Sequence, residues 1–417
     1  APGFTRQPEK FGLAARLTRW MFPFLFFIGM WAIAAGILNA ARRFFVPAVT
    51  PAVQNLVMVA ALLAAGWLGA GEQTVFWVAA AVVAGGALQA ACQLPLLARL
   101  GLLPRPAAPW SAPGVGSFLW LMAPAAFTAA IFHLNSLANR WMASFLEEGA
   151  ISYLYYANRL VQFPHGILSL AVMAAAFPVL SERAAEGRRN EEGAGEGWRR
   201  TLAESGKLTL FITLPATFGL IALAHPIMEV LFPRGALGPE QTAACAAALR
   251  AYALGLTFFG LVRLFSAAFH TRLDTRYPMR CAYAAVAANI AFSLLLMRPL
   301  GFVGLALGTT LSSALHALLL VRGLRRAGGE WPGEELWAAA RQLLPLAAGA
   351  GAAAYLAHRA LWPAQAPFPG RAALLLALVG GAAGGYLFLC ERLAPRGKVP
   401  WRGLLRLGRR APPSPGA

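Results

Sequence analysis

Residues 21–38 read MFPFLFFIGMWAIAAGIL, a run of eighteen residues without one charged side chain. A helix that crosses the hydrocarbon core of a bilayer needs about 17–25 mainly apolar residues, so this run is long enough to span. Ten further apolar runs follow it and predict ten more spans. They cover residues 52–68, 75–97, 118–145, 151–180, 208–232, 242–269, 277–297, 303–321, 336–356 and 372–389. The sequence therefore predicts an all-α fold, a polytopic transmembrane helix bundle of about eleven spans.

The composition agrees with a membrane protein and excludes most other classes. Of the 417 residues, 58% are hydrophobic and only 13% are charged, and the mean hydropathy is +0.58. Soluble domains carry about 25% charged residues. Cys92, Cys245, Cys281 and Cys390 lack CxxC spacing, and the six histidines form no paired ligand set. We therefore expect neither a disulfide framework nor a metal site.

Basic residues are distributed unevenly between the two sets of alternating connections. The chain has 36 Lys+Arg against 17 Asp+Glu, a net charge of +19. One set of connections, together with the C-terminal tail, holds 24 of the basic residues, and the other holds only Arg234, Arg298, Arg359 and Arg371. Because cytoplasmic loops are enriched in Lys and Arg, the first set and the C-terminus are expected in the cytoplasm. The charge then needs no nucleic-acid partner to explain it.

The N-terminal segment does not fit this pattern. Its basic residues lie on the side that is expected to be outside, and they are Arg6, Lys10, Arg16 and Arg19. The chain begins with Ala1, and its start lacks the basic and apolar regions of a signal peptide. An odd number of spans with a cytoplasmic tail begins outside, which predicts that earlier helices are missing. A processed mature form is the alternative.

Arg159 is the outstanding polar residue inside a span. It stands eight residues beyond Ile151, about 12 Å along a helix. A charged side chain at mid-bilayer costs about 3 kcal/mol on insertion scales and therefore indicates a functional site by default. Ser152, Tyr155, Tyr156 and Gln162 share its helical face. A guanidinium among hydroxyl and amide groups suits a phosphate or pyrophosphate; the alternatives are an arginine that caps freed carbonyls or pairs with an acid on an absent helix.

Other polar residues inside spans extend the candidate binding set. Arg263 lies deep in its span, and Arg250 either serves an anion path or reaches water along a kinked helix. Arg140 lies nearer the outer end of its span, and its alternative role is to extend its guanidinium to the membrane surface. The candidate amides are Asn39, Asn55, Asn139 and Asn158. Interhelical hydrogen bonding is the alternative for such amides, including Gln89 and Gln93.

Catalytic motifs are missing from the sequence. It contains no GxSxG, no Walker A loop and no catalytic dyad, and no acidic residue lies in the middle of a span. The sequence therefore predicts neither an enzyme nor a cofactor. A membrane-embedded enzyme that acts on lipid-linked sugars would need an acidic pair on an outer loop. Glu147 and Glu148 are adjacent in sequence and are poor candidates for that pair.

Several segments together resemble one transporter family. Parts of residues 22–55, including GILN and PAVQN, resemble the fourth and fifth helices of the MurJ (MviN) lipid II flippase family. Residues 155–166, YYANRLVQFPHG, are similar to its most characteristic segment. Residues 231–235, LFPRG, and the stretch 254–278 add to the likeness. The family belongs to the multidrug/oligosaccharidyl-lipid/polysaccharide exporter superfamily.

The resemblance implies fourteen helices in two six-helix lobes with two extra C-terminal helices, and hence an N-terminal truncation of three helices. Residues 1–110 then form the remainder of the N-terminal lobe, and residues 111–326 form the C-terminal lobe. Residues 327–417 form the two extra helices and a basic cytoplasmic tail. The implied activity is alternating-access transport of the undecaprenyl-pyrophosphate-linked peptidoglycan precursor across the bacterial inner membrane. The implied partners are membrane lipids and proteins of cell-wall synthesis.

The resemblance also implies which residues bind the pyrophosphate. The family's essential arginines lie partly on its first two helices, which this chain lacks, and partly at the position of Arg159. Ser152 matches another functional position. Acids often stand just before and three residues after the arginine, where this chain has Asn158 and Gln162.

The resemblance leaves two further functions open. A related exporter of other lipid-linked oligosaccharides is one, and a cation-coupled drug antiporter is the other. An antiporter is expected to carry buried carboxylates in its spans, which the missing helices could supply. A non-transporting scaffold is also open for the truncated chain.

Overall fold

The computed structural model describes residues 8–103, 116, 120, 133, 135–188, 193–232, 238–326, 331–362 and 367–393. All regular structure within these ranges is helical. The chain divides into two compact units, Ala1–Pro124 and Ala125–Ala417.

The first unit is built around α4. Its helices are α1 (Pro8–Met21), α2 (Phe24–Ala40), α3 (Phe45–Trp67), α4 (Thr74–Ala91) and α5 (Leu94–Arg99), with a short 3₁₀ turn at Gly71–Gln73. Small residues on α4 let its neighbours approach closely, since Gly85 lies against the backbone of Gln54 on α3 and Gly86 against the ring of Phe24 on α2. Close contact at small residues is the usual way helices associate in a membrane, where lipid supplies no hydrophobic drive.

The second unit contains the remaining helices. They are α6 (residues 135–143), α7 (Ala150–Arg188), α8 (Ala194–Ala222), α9 (Ala224–Leu231), α10 (Pro239–Ala253), α11 (Leu256–Thr271), α12 (Arg276–Arg326), α13 (Gly333–Leu361) and α14 (Phe368–Leu393). One buried cluster joins side chains of α6, α7, α9, α10, α11 and α12. A second cluster packs α13 and α14 against α8.

The helices coincide with the predicted spans. The span predicted at 118–145 lies mostly outside the described residues, and each of the other ten is helical. By length and hydropathy, seven helical segments within the described ranges are able to cross a membrane, and the whole of α12 counts as one of them. The all-α membrane bundle is therefore confirmed.

Helix interruptions coincide with only some of the prolines inside the predicted spans. A break at Phe22–Pro23 separates α1 from α2, but α7 runs through Pro164 and α8 through Pro215 without interruption. Other breaks fall at Leu223 and at Leu254–Gly255. Pro124 lies outside the described residues. Flanking helices satisfy the carbonyls that a proline frees, so an intramembrane proline need not end a helix.

Gly301 turns α12 into a hairpin of two antiparallel legs. Its φ of 56° and ψ of −135° interrupt the helix, in a region that side chains with a Cβ avoid. Beyond the turn, Gly304 lies against the backbone of Leu296, and the Tyr277 hydroxyl donates a hydrogen bond to the Leu319 carbonyl at 3.0 Å. The two separate spans predicted at 277–297 and 303–321 are these legs.

A column of hydroxyl groups lines the contact between α8 and α11. Thr201, Ser205, Thr209 and Thr213 follow one another at intervals of four residues, and each hydroxyl donates to the carbonyl four residues earlier, at 2.7–2.9 Å. Gly260 of α11 faces this column, where a Cβ would lie 3.0 Å from the methyl group of Thr209. Because each hydroxyl is hydrogen-bonded within its own helix, this polar face of α8 can pack closely against α11 inside the membrane.

Two carboxylates, one near each end of α13, join α13 and α14 to α8 and α9. Near its end, Glu229 of α9 accepts hydrogen bonds from the indole of Trp362, at 3.0 Å, and from the guanidinium of Arg371. Near its start, Glu335 is paired with Arg199 at 3.0 Å and with Lys207 at 2.6 Å, both on α8. Between these pairs the contact is apolar.

We expect Gly301→Ala to lower the stability of the protein by about 1–3 kcal/mol, because alanine is strained at the backbone angles of this turn. The control is Gly349→Ala, since Gly349 lies inside α13 with open space around its Cβ position, where alanine stabilises a helix by about 0.5–1 kcal/mol. Thermal unfolding in detergent measures both. Equal unfolding midpoints for the two variants would contradict the assignment of strain to Gly301.

Candidate functional site

The predicted polar face of α7 is exposed along its length. We call Ser152, Tyr155, Arg159 and Gln162 the polar stripe of α7, and all four side chains are exposed, Tyr155 to 55%. The neighbouring Asn158 is exposed as well. The opposite face carries Leu154, Ala157 and Val161, which are buried in the cluster shared with α6 and α9–α12. The helix is therefore anchored by its apolar face and presents its polar one.

Arg159 has no ion pair or hydrogen bond to any residue that the structure describes. It does not cap a freed carbonyl within those ranges, which was one alternative role. A guanidinium in the middle of a span cannot face acyl chains without a large desolvation cost. Within the described part of the chain, the Arg159 guanidinium is exposed and its hydrogen-bond donors have no partner.

Arg263 lies beside α7 on the neighbouring helix. The imidazole of His165 contacts the edge of the Phe259 ring of α11 at 5.9 Å between centroids. Arg263 is exposed one turn after Phe259, and its charge acts on His165. His165 is six residues beyond Arg159, about 9 Å along the helix. The structure thus places Arg263 on a helix that packs against α7.

Asn139 belongs to a network of amides between α6 and α12. The Asn289 amide donates to the side-chain oxygens of Asn135, at 2.6 Å, and of Asn139, at 3.2 Å. The Asn139 amide reaches the hydroxyl of Thr309 at 3.5 Å, a weak contact. Asn289 is only 1% exposed. Interhelical hydrogen bonding, the alternative role, is what the structure shows for Asn139; the neighbouring Arg140 is exposed.

The sequence patterns did not predict a role for Asn289, although they contain a signal for one. It is an amide in the middle of the apolar run 277–297, where a polar side chain needs a partner. Nothing in the run indicates that this partner lies about 150 residues earlier in the chain.

Two arginines of the second unit have structural roles. The Nε of Arg250 donates to the carbonyl of Ile221 at 3.4 Å, where α8 ends. Arg250 is exposed, so this contact leaves both roles considered for it open. The Arg272 guanidinium lies 3.7 Å from the ring centroid of Trp198, and burial lowers the pKa of Arg272. Arginine remains charged despite such a shift, because its unperturbed pKa is above 12.

The amides of the first unit differ in burial. Asn39 and Asn55 are exposed on α2 and α3, in a different unit from Arg159. Gln93 is buried, and its amide donates to the carbonyl of Trp31 at 3.2 Å, which confirms an interhelical role. The Trp31 indole in turn donates to the hydroxyl of Thr50 at 2.9 Å. Among the described residues, no group of three His, Cys, Asp or Glu side chains is placed to hold a metal ion.

Comparisons with known proteins agree on one family. The family model described as lipid II flippase MurJ matches residues 1–366. The chain is 36% identical over 320 residues to the probable lipid II flippase MurJ of Vibrio cholerae, covering 76% of this chain and 59% of that protein. It is 35% identical over 365 residues to the Rhizobium tropici protein of the same description, covering 86% and 66%. The chain thus spans about six-tenths of the length of these relatives.

A solved structure described as lipid II flippase MurJ in an inward closed conformation has the same fold. Its TM-score against this chain is 0.73 at 23% sequence identity. The match covers 94% of this chain and 76% of that one.

We expect Asn289→Leu to destabilise the protein by about 1–3 kcal/mol, because it leaves the half-buried side-chain oxygens of Asn135 and Asn139 without their donor. Asn39→Leu is the matched control, since Asn39 is exposed and has no hydrogen bond through its side chain to any described residue. Thermal unfolding in detergent compares the two variants. A shift no larger for Asn289→Leu than for Asn39→Leu would show that the network does not stabilise the fold.

Proposed function

The chain belongs to the MurJ family of lipid II flippases, and from that membership we propose that it moves the undecaprenyl-pyrophosphate-linked peptidoglycan precursor across the bacterial inner membrane. The single observation that carries the proposal is the exposed polar stripe of α7 with Arg159 at its centre. The family consists of transporters, so the chemistry needed is binding and release of the precursor.

The polar stripe supplies donors that match a pyrophosphate. The planar guanidinium of Arg159 binds two phosphate oxygens at once, which is the strongest single contact available to such a group. Ser152 and Tyr155 add hydroxyl donors, and the amides of Asn158 and Gln162 add neutral ones. Because residues 158 and 162 are amides, no carboxylate next to Arg159 on this stripe competes with the phosphate for the guanidinium. Arg263 adds a second positive charge beside α7.

The membrane potential can drive this transport. Moving one elementary charge across the membrane is worth about 2.3 kcal/mol per 100 mV. The cytoplasmic side is negative, so an anionic headgroup gains free energy as it moves outward. The arginines lower the cost of placing that headgroup at mid-membrane, where an unpaired charge is expensive.

In the proposed cycle, rocking of two lobes exposes the arginines to each side in turn. Residues 1–110 contribute to one lobe, and residues 111–326 form the other, with residues 327–417 as an addition to it. The asymmetry of 24 basic residues against four supports a cytoplasmic C-terminus. The packing of α7 by its apolar face supports movement of α6–α12 as a body.

The first test of function is genetic. We expect the complete gene to restore growth after depletion of the host flippase, and Arg159→Ala to abolish that rescue at normal membrane levels, because the mid-membrane anion loses its counter-charge. Arg298→Ala, which removes an exposed arginine at the end of the first leg of α12, is the control and should rescue fully. Full rescue by Arg159→Ala would refute the proposed site.

The second test measures binding directly. A hydrogen bond to a charged group contributes about 1.5–3 kcal/mol, so Arg159→Gln should weaken binding of undecaprenyl pyrophosphate by about ten- to a hundredfold. Undecaprenol, which lacks the pyrophosphate, is the matched ligand and should bind both proteins equally. Native mass spectrometry in detergent gives both affinities. An equal loss of affinity for both ligands would show that Arg159 acts in folding. Equal affinity for precursors that carry unrelated sugars would favour a broader exporter of lipid-linked oligosaccharides.

A further inference from the structure

Helix α1 carries positive charge where the topology predicts little. Lys10, Arg16 and Arg19 fall within its fourteen residues, whereas Glu9 is its only acid. Under the proposed topology this helix lies on the outer side, where basic residues are otherwise scarce. An exception to that distribution calls for a local reason.

The end of α1 is fastened to the beginning of α4. The ring of Trp20 meets the ring of Phe76 edge to face, with 5.7 Å between centroids. The guanidinium carbon of Arg16 lies 5.9 Å from the centroid of the same Phe76 ring. Phe76 is the third residue of α4. Arg16 and Arg19 are therefore held at the level where α4 enters the membrane.

Aromatic side chains mark this level as the membrane interface. Trp67 ends α3 and is 88% exposed, and Trp77 near the start of α4 is also exposed. Trp20 and Phe22 are exposed at the junction of α1 and α2. Tryptophan is enriched at the level of the lipid headgroups because its ring is apolar and its N–H is polar. The aromatic residues place Arg16 and Arg19 beside the headgroup phosphates.

The two arginines have chemistry that fits a phosphate. They are three residues apart, so their side chains are neighbours on the helix surface. Neither forms an ion pair with an acid in the part of the chain that the structure describes, although Glu9 and Glu72 belong to the same unit. Leu13 and Leu17 of the same helix are half-buried, whereas Arg16 and Arg19 are exposed. A helix with a basic face and an apolar face is typical of segments that lie in the interface plane.

We propose that α1 is an interfacial helix whose Arg16 and Arg19 bind the phosphodiester of an anionic phospholipid. Its assignment to the outer leaflet rests on the proposed topology, whereas the lipid contact does not rest on transport. The contact fixes the outer end of α4, around which the first unit is packed.

The test places a spin label on α1 and measures its depth in nanodiscs. Gly12→Cys offers an open position, since nothing lies within 4 Å of its Cβ site. The background carries Cys92→Ala, because Cys92 is exposed and the other three cysteines are buried. We expect a label at headgroup depth, and a loss of label mobility when phosphatidylglycerol is added to phosphatidylcholine.

The variant that tests the contact is Arg16→Gln with Arg19→Gln, which keeps side-chain length and removes the charge. It should lose the response to phosphatidylglycerol, while Arg359→Gln, an exposed arginine near the end of α13, should retain it. A response unchanged in the double variant, or a label in bulk water, would overturn the proposal. The proposal would also be overturned if undecaprenyl pyrophosphate, and not phosphatidylglycerol, lowered the mobility of the label. In that case α1 would be part of the substrate path.

The leaflet is tested separately in cells. A thiol reagent that does not cross membranes should label Gly12→Cys in intact cells. Labelling only after permeabilisation would overturn the outer-leaflet assignment. Because neither experiment measures transport, failure of the lipid contact is distinguishable from failure of the proposed flippase activity.

Discussion

The cost of a charge inside hydrocarbon is the constraint on which the second unit depends. Arg159 stands inside a predicted span, and no described residue neutralises it. Under the proposed function its helix is therefore sealed on one face and open to water or ligand on the other. Leu154, Ala157 and Val161 provide the sealed face by packing into the cluster of α6 and α9–α12. Because that cluster draws on six helices, the position of the guanidinium depends on the packing of most of the unit.

The same constraint separates structural polar groups from those available to a ligand. Lipid offers no hydrogen bonds, so a polar group that supports the fold must find its partner within the protein. The hydroxyls of α8 donate to their own backbone, and Asn289 donates to Asn135 and Asn139. The polar stripe of α7 differs in being exposed. Under the proposed function, this difference in pairing, more than residue type, distinguishes the binding surface from the core.

Sequence patterns predict what depends on neighbouring residues and miss what depends on distant ones. The spans and the face shared by Ser152, Tyr155 and Arg159 follow from local hydropathy and the helical repeat. The role of Arg250 could not be predicted, because the carbonyl it binds is exposed by a helix end 29 residues earlier. The turn at Gly301 was visible only as a gap between two apolar runs. Its backbone angles, which make α12 a hairpin, require the three-dimensional contacts of both legs.

The roles of the arginines also explain how a strongly basic membrane protein can bind one anion selectively. Arg272 is held over Trp198 and Arg199 is paired with Glu196 and Glu335, so these charges are committed to packing. Arg16 and Arg19 lie at the aromatic level of the first unit, where lipid phosphates can neutralise them. A charge at mid-membrane that lacks a protein partner is also out of reach of the lipid phosphates. Under the proposed function, Arg159 gains the most when an anion arrives, because it alone among these arginines starts without a partner in low-dielectric surroundings. Under the same proposal, selectivity for a lipid-linked pyrophosphate arises because the lipid tail holds the pyrophosphate at the depth of Arg159.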